Sequence, residues 1–362
     1  MSTDFDTRMM ARALQLARQG RYTAMPNPHV GCVLVRDHHV IGEGLTRPAG
    51  GNHAEIEALA AAGDAAGATA YVTLEPCSHH GKTGPCAVAL VAAGVSRVVV
   101  AMQDPNPLVA GQGLEKLRAA GVEVVCGLLE KEALAVIPGF VARMSRGRGR
   151  VRAKLAMSLD GRTAMASGES QWITGSAARK DVQKLRAMSC AIVTGVGTVL
   201  ADDCALTVRE PELADADRNP LRVVLDSGLR TPAGAKILDN DAPTLLCHDP
   251  SVAVPDEIAA SGVDCLALRR VGEGLDLHAL MAHLAERQCN EILVESGPRL
   301  AGALLQAGLL DELLVYMAPT LMGDRARPLL QLPLDSMSEK VALEVVDVRR
   351  VGQDWRFTVL PA

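Results

Sequence analysis

Short β-rich runs alternate with alanine-rich helical stretches along most of this 362-residue chain, and that alternation restricts the fold more than any other feature. VGCVLV (30–35), AYVTL (70–74), RVVVAM (97–102) and VEVVC (122–126) are such runs in the first half. Strands that alternate with helices bury their apolar faces in layers, so the pattern predicts an α/β domain. Ahead of them, Met9, Met10, Ala13, Leu14 and Ala17 recur at helical spacing and stop at Gly20, which predicts an amphipathic opening helix.

The alternation resumes after SRGRGRVR (145–152), where the composition turns abruptly basic and glycine-rich. A chain this long exceeds one ordinary domain of roughly 150 residues. We therefore place a first domain at 1–145, a solvated linker at 146–150 and a second domain at 151–362. A short RNA-binding tract is the functional alternative for the linker, but it lacks aromatic residues. Beyond it, strand-like runs recur at VRAKLAM, AIVTG (191–195), RVVLD (222–226), TLLC (244–247), EILVES (291–296) and LLVYMA (313–318), with helical segments such as SAARKDVQKLRAM and LHALMAHLAERQ between several of them. The closing VALEVVDVRRVGQDWRFTVL reads as two antiparallel strands joined at Gly352, Gln353 and Asp354.

Composition narrows the function classes. No run approaches the roughly 18 apolar residues of a membrane helix, and MSTDFDTRMM lacks the basic-then-apolar order of a signal peptide, so a cytoplasmic protein without membrane partners is expected. Nine scattered cysteines fit a reducing compartment. A net charge of −5 and 2% aromatic residues argue against nucleic acid as the partner, since such binding rests on cationic grooves and base stacking.

The chemistry of the first half lies in NHAE (52–55) and EPCSHHGKTGPC (75–86). His-x-Glu followed by Pro-Cys-x-x-Cys marks zinc deaminases that act on nucleobases. Here eight residues rather than two separate Cys77 from Cys86. Asn52 reads as an N-cap with His53 and Glu55 in the first helical turn, and a capping box would explain Glu55 without chemistry. Against that stands the order of parts: a strand, Glu75-Pro76-Cys77, and a second cysteine at a helix start, where the dipole favours thiolate. Three protein ligands, His53, Cys77 and Cys86, leave zinc a fourth position for water, whose pKa falls to about 7, with Glu55 placed to move the proton. A structural zinc closed by His79 or His80 stays open. The longer loop also carries Lys82, which suits an anionic small substrate such as a phosphorylated sugar bearing the base.

The second half holds no metal cluster. GVGTVLADD (195–203) follows a strand and could bring backbone amides to a phosphate, although it is an incomplete glycine fingerprint and a plain tight turn explains it as well. ESGPRLAGALL (295–305) repeats the strand, glycine, helix order, so a dinucleotide cofactor fits. Arg186 and Arg209 read as ordinary surface residues, whereas Glu295, at a strand end, is placed to meet a ligand.

NPHVG (27–31), HAE (53–55), EPCSHHGKTGPC (75–86) and DPNP (104–107), together with these later segments, resemble the RibD family of bifunctional riboflavin-biosynthesis deaminase/reductases over nearly the whole chain. The resemblance implies a cytidine-deaminase-like three-layer domain followed by a dihydrofolate-reductase-like domain. It implies zinc on His53, Cys77 and Cys86, proton transfer by Glu55, and Asn27, His79, Lys82 and Asn106 facing a phosphoribosylaminopyrimidine. In the second domain it implies substrate contacts by Ser170, Arg186, Leu206, Arg209 and Glu295. NADPH contacts fall on Ala156, Trp172, Thr198, Asp202, Ser227 and the turn from Gly297, while Lys154, Asp202 and Glu295 are candidates for proton management. Self-association through the reductase domain is expected as well. The chain departs from the family at Thr46, where many members carry His. Two rivals remain: an RNA-associated deaminase module, and a monofunctional reductase with a structural zinc clip.

Overall fold

The apolar stripe of the opening segment forms helix α1 (Asp4–Gln19), closed at its start by a capping box between Thr3 and Asp6 and ended by Gly20. The computed structural model describes residues 3–78, 84–107, 109–213 and 219–362. Its contacts divide into two compact units, Met1–Gly147 and Arg148–Ala362.

In the first unit the strands are β1 (Gly31–Arg36), β2 (His39–Leu45), β3 (Thr69–Val72), β4 (Arg97–Val100) and β5 (Glu123–Cys126), with α2 (Ala54–Ala62), α3 (Cys86–Ala92), α4 (Gln112–Ala119), α5 (Glu130–Val136) and α6 (Pro138–Arg146). They form one sheet in the order β2-β1-β3-β4-β5, antiparallel as far as β3 and parallel beyond it. Val98, Val99 and Val100 are all fully buried, as a strand covered on both faces requires. Register explains how the helices sit. A Cβ on Gly31 would lie 2.0 Å from the Ala13 carbonyl oxygen of α1, and one on Gly44 would lie 2.1 Å from the Ala54 oxygen of α2. Gly44 pairs with Cys32, the neighbour of Gly31, so α1 and α2 cover opposite faces and the unit has three layers. The two glycines of β2 let the helix bearing Glu55 lie directly on the strand. They also hid that strand in the sequence, since HVIGEGL is poor in β-formers.

The second unit is built on a nine-stranded sheet. Its strands are β6 (Arg150–Ser158), β8 (Ala191–Gly195), β9 (Leu221–Leu225), β10 (Thr244–His248), β11 (Asp264–Ala267), β14 (Glu291–Glu295), β15 (Glu312–Ala318), β17 (Leu343–Val351) and β18 (Asp354–Pro361), in the order β11-β10-β9-β8-β14-β6-β15-β18-β17. Short strands β7 (Arg162–Ala164) with β16 (Arg327–Pro328), and β12 (Arg270–Val271) with β13 (Gly274–Leu275), form two further ribbons. Helices α7 (Ser176–Ala187), α8 (Val196–Asp202), α9 (Asp256–Ala260), α10 (Leu277–Glu286) and α11 (Pro298–Gln306) lie between. From β11 to β15 all strands are parallel, whereas β18 and β17 add an antiparallel edge. Successive residues feed two cores: Ile192, Val224 and Leu293 on one face, Val193, Val223 and Val294 on the other.

One expectation is corrected here. The basic stretch at 145–152 is no solvated tether: α6 runs to Arg146 and β6 starts at Arg150. Arg148 is ion-paired with Asp311 at 2.5 Å and Arg150 with Glu312, so their charges are spent on the start of β15. This pairing across more than 160 residues leaves no cue in the local sequence.

Candidate active sites

The first site is assembled where helix starts meet loops. His53 occupies the N-cap position of α2 in extended conformation, with no side-chain capping bond. Its imidazole is thereby left for other work, and Asn52 is neither the cap nor part of a capping box. Asn52 instead donates to Glu57 Oε1 at 3.0 Å. Glu55, the second residue of α2, is buried, and that burial raises its carboxyl to about 7. The cap explanation of Glu55 is therefore excluded.

Cys86 is the first residue of α3, and its backbone N–H donates to Cys77 Sγ at 3.3 Å. His53 Nδ1 lies 3.7 Å from Cys77 Sγ and 3.3 Å from Cys86 Sγ, and the three donor atoms all fall within 4.8 Å of one another. Hydrogen bonding from Cys86 draws the Cys77 thiol down to about 4, while the same bond pushes Cys86 up. One imidazole nitrogen and two converging sulfurs suit zinc with an open fourth position. His79, His80 and Lys82 lie outside the described residues. Asn27 and Asn106 are both half-buried in this unit, the latter with its N–H on Asp104 Oδ1 at 2.8 Å. Thr46 is buried with its hydroxyl bound to the Val30 N–H at 2.9 Å, so this position braces β1.

The second site is a cleft of about 2380 Å³ within the second unit, lined by every candidate read from that half of the chain. It is wide enough for more than one ligand of ordinary size, since such pockets span roughly 300 to 1000 Å³. Lys154, midway along β6, is the cross-strand neighbour of Glu295, which ends β14, and ligands of open α/β sheets bind beyond such strand ends. Arg186 is not the surface residue expected. It is buried, and its Nε and Nη2 donate to the two Glu295 oxygens at 2.6 and 2.9 Å while Nη1 donates to the Thr207 carbonyl at 3.0 Å. Burial alone would raise the Glu295 carboxyl, but Arg186, then Lys154 and Arg209, more than offset it and hold it below its ordinary value. Burial lowers Lys154, against the pull of Glu295.

Around this centre, Ser170 Oγ and Gln171 Nε2 donate to Asp202 Oδ1 at 3.5 and 3.2 Å. Trp172 is 69% exposed and stacks under Arg179, whose guanidinium carbon is 4.6 Å from the ring centre. Leu206 is buried in left-handed conformation, and the Arg209 N–H is held by Gln183 at 2.8 Å. Ala156, Thr198, Ser227 and Gly297 line the rest, with Gly297 as the N-cap of α11. Sequence reasoning missed Glu75, whose carboxylate is buried next to Cys77 and accepts backbone amides from a distant loop. Its only signal was a lone acid in an apolar run, YVTLEPC.

Comparison with known proteins finds relatives for both units. Residues 150–357 match the family model of the RibD C-terminal domain, and residues 3–102 match that of the cytidine and deoxycytidylate deaminase zinc-binding region. The riboflavin biosynthesis protein RibD of Escherichia coli (strain K12) is 50% identical over 362 residues, covering 96% of this chain and 97% of its own. A solved structure of Acinetobacter baumannii RibD, form 2, superposes with a TM-score of 0.92 at 46% identity over 99% of both chains. A diaminohydroxyphosphoribosylaminopyrimidine deaminase/5-amino-6-(5-phosphoribosylamino)uracil reductase from Thermotoga maritima does so with 0.88 at 32% identity over 99% of both chains. The deaminase-type and reductase-type units expected from the sequence are those found.

Proposed function

This chain belongs to the RibD family of bifunctional riboflavin-biosynthesis deaminase/reductases, and from that premise we propose how its residues divide the two reactions. The observation that carries the reading is the separation of chemistries: His53, Cys77, Cys86 and Glu55 lie together in one unit, and the Arg186–Glu295–Lys154 cluster lines the cleft of the other.

In the deaminase, His53, Cys77 and Cys86 would hold zinc, which would supply an activated water near neutral pH. Glu55 would take up the proton that the attacking water gives up and return it to the leaving ammonia. A carboxyl near 7 is suited to both halves of this task. The substrate is 2,5-diamino-6-ribosylamino-4(3H)-pyrimidinone 5′-phosphate, which takes up water and loses ammonia. Asn27 and Asn106, with His79 and Lys82 of the long loop, bind it.

In the reductase, NADPH when bound would supply the hydride that, with one proton, converts the ribosyl group of the deaminated product to the ribityl chain. Ala156, Trp172, Thr198, Asp202, Ser227 and the turn from Gly297 hold the cofactor. Ser170, Leu206, Arg209 and Glu295 hold the substrate. Arg186 fixes Glu295 and keeps two further N–H groups for the phosphate. Lys154, Asp202 and Glu295 manage the proton.

Partners are small molecules rather than nucleic acid, in keeping with a net charge of −5, and the site of action is cytoplasmic. No helix among the described residues is long and apolar enough to cross a membrane. Self-association runs through the second unit, where the edge strand β17 leaves Val345, Val346 and Val348 exposed. A Val346→Lys variant that sediments like the parent would refute that arrangement. Incubating the protein with the diaminopyrimidinone phosphate, with and without NADPH, and identifying products by mass tests the main reading. Loss of the amine without NADPH and gain of two hydrogens with it are expected; any other pair of products overturns it.

A further inference from the structure

We propose that Glu75 is a positioning residue of the deaminase, locking the metal-ligand loop to the loop that carries Asn106. Glu75 is only 5% exposed, and among the described residues no lysine or arginine pairs with it. Among the described residues, the bonds to its carboxylate come from backbone amides. Oε2 accepts the N–H groups of Asp104 at 3.1 Å and Gly111 at 2.9 Å, and Oε1 accepts those of Gly113 at 2.8 Å and Leu114 at 3.3 Å. A buried carboxylate is expensive to keep unless its hydrogen bonds are complete, and bonds from amides to an anion are among the strong ones.

The two ends of this clamp are the two parts a deaminase must hold in register. Glu75 lies two residues before Cys77, one of the sulfurs that holds zinc. The amides it gathers bracket 104–111, where Asn106 is bound from both sides: its N–H by Asp104 Oδ1 at 2.8 Å, its carbonyl by the N–H groups of Val109 and Ala110 at 3.0 and 2.9 Å. The approach is close as well, for a Cβ on Gly113 would lie 2.0 Å from the Pro76 carbonyl oxygen. Lys116 adds a bond to the Ser78 carbonyl at 3.0 Å. With one carboxylate engaging both segments, the metal ligand and Asn106 cannot shift independently. The consequence for function falls on substrate binding, and it rests on the proposed role of Asn106.

Glu75→Gln tests this, because an amide group turns an NH₂ toward two of the four N–H donors and releases them. The variant should fold, keep one zinc per chain and exchange the amide hydrogens of one pair, Asp104 and Gly111 or Gly113 and Leu114, faster than the parent. Its KM for the diaminopyrimidinone phosphate should rise roughly tenfold with kcat within about threefold, while reduction of the deaminated intermediate is unchanged. Loss of zinc, or a fall in kcat at constant KM, overturns the proposal. Should Glu75→Gln not fold, Glu75→Asp carries the same readouts, and failure of both to fold overturns it too, since Glu75 would then serve the fold. Asn106→Ala separates the two levels. An unchanged KM there refutes the role of Asn106, whereas a raised KM beside an unchanged one in Glu75→Gln refutes the clamp.

Discussion

Replacing Arg186 by Met should unfold the second unit more easily and abolish reduction, because it strands a buried carboxylate. Arg186 and Glu295 are joined by two bonds of 2.6 and 2.9 Å, and both side chains are largely shielded. Removing one member of such a pair typically costs about 3 to 5 kcal/mol, since the other charge stays behind without its counterion. Lys154 remains as a second cation and the cleft admits water, so the low end applies, about 3 kcal/mol. For a unit of this size each kcal/mol moves the midpoint by roughly 2 to 4 °C, so a drop of about 6 to 12 °C is expected. Tryptophan fluorescence reads this unit alone, since the two tryptophans, Trp172 and Trp355, both lie in it.

The pH dependence has a definite sign. Glu295 is held below its ordinary value, so its pairing stabilises above the ordinary carboxylate range and is lost as pH falls through the depressed folded value. In Arg186→Met that contribution disappears, so acid unfolding of the second unit begins at higher pH. Adding Glu295→Gln should restore much of the lost stability, giving a coupling of roughly 2 kcal/mol in the double-mutant cycle. If both single variants lose less than about 1 kcal/mol and their effects add, the pair behaves like an exposed ion pair and the reasoning fails.

Glu55→Gln should retain zinc while releasing no ammonia; parallel loss of metal and activity, by metal analysis beside an ammonia assay, would show Glu55 to be a ligand rather than the proton carrier. Cys77→Ser should silence deamination yet still oxidise NADPH when given the deaminated intermediate, and soluble, folded protein unable to do so would mean that the two sites depend on each other. His29 predicts acid sensitivity of the first unit. Burial lowers it to about 4, outweighing the bond to the Val136 carbonyl at 2.7 Å, which pulls the other way. A folded value below the unfolded one means that stability is lost as pH falls from about 6.5 toward 4, by roughly 2 to 3 kcal/mol. Urea midpoints across that range should flatten in His29→Asn, and an equal slope in both proteins would refute the assignment.

How much was readable beforehand differs by residue. His53, Cys77 and Cys86 were legible because few side chains bind zinc and their order along the chain is itself informative. The same holds for the strand runs of both units, whose composition reflects burial on two faces. Glu55 was ambiguous, for a glutamate in a first helical turn can cap or catalyse, and only the folded chain, with His53 as the N-cap and Glu55 buried, removes the capping-box reading. The strand β2 itself was overlooked, since the glycines that admit α2 lower its β-character.

By itself, then, the sequence determined what depends on residue type and local period: two α/β units, a converging His-Cys-Cys set in the first, and cleft-lining turns in the second. Tertiary structure decided what depends on partners far along the chain. Arg186 meets Glu295 across 109 residues, Arg148 meets Asp311 across 163, and Glu75 gathers amides 29 to 39 residues away. A charge looks the same in a sequence whether water or a buried counterion will surround it. Only the folded chain, by removing the water, sets which charges must be paired and what each pair holds in place.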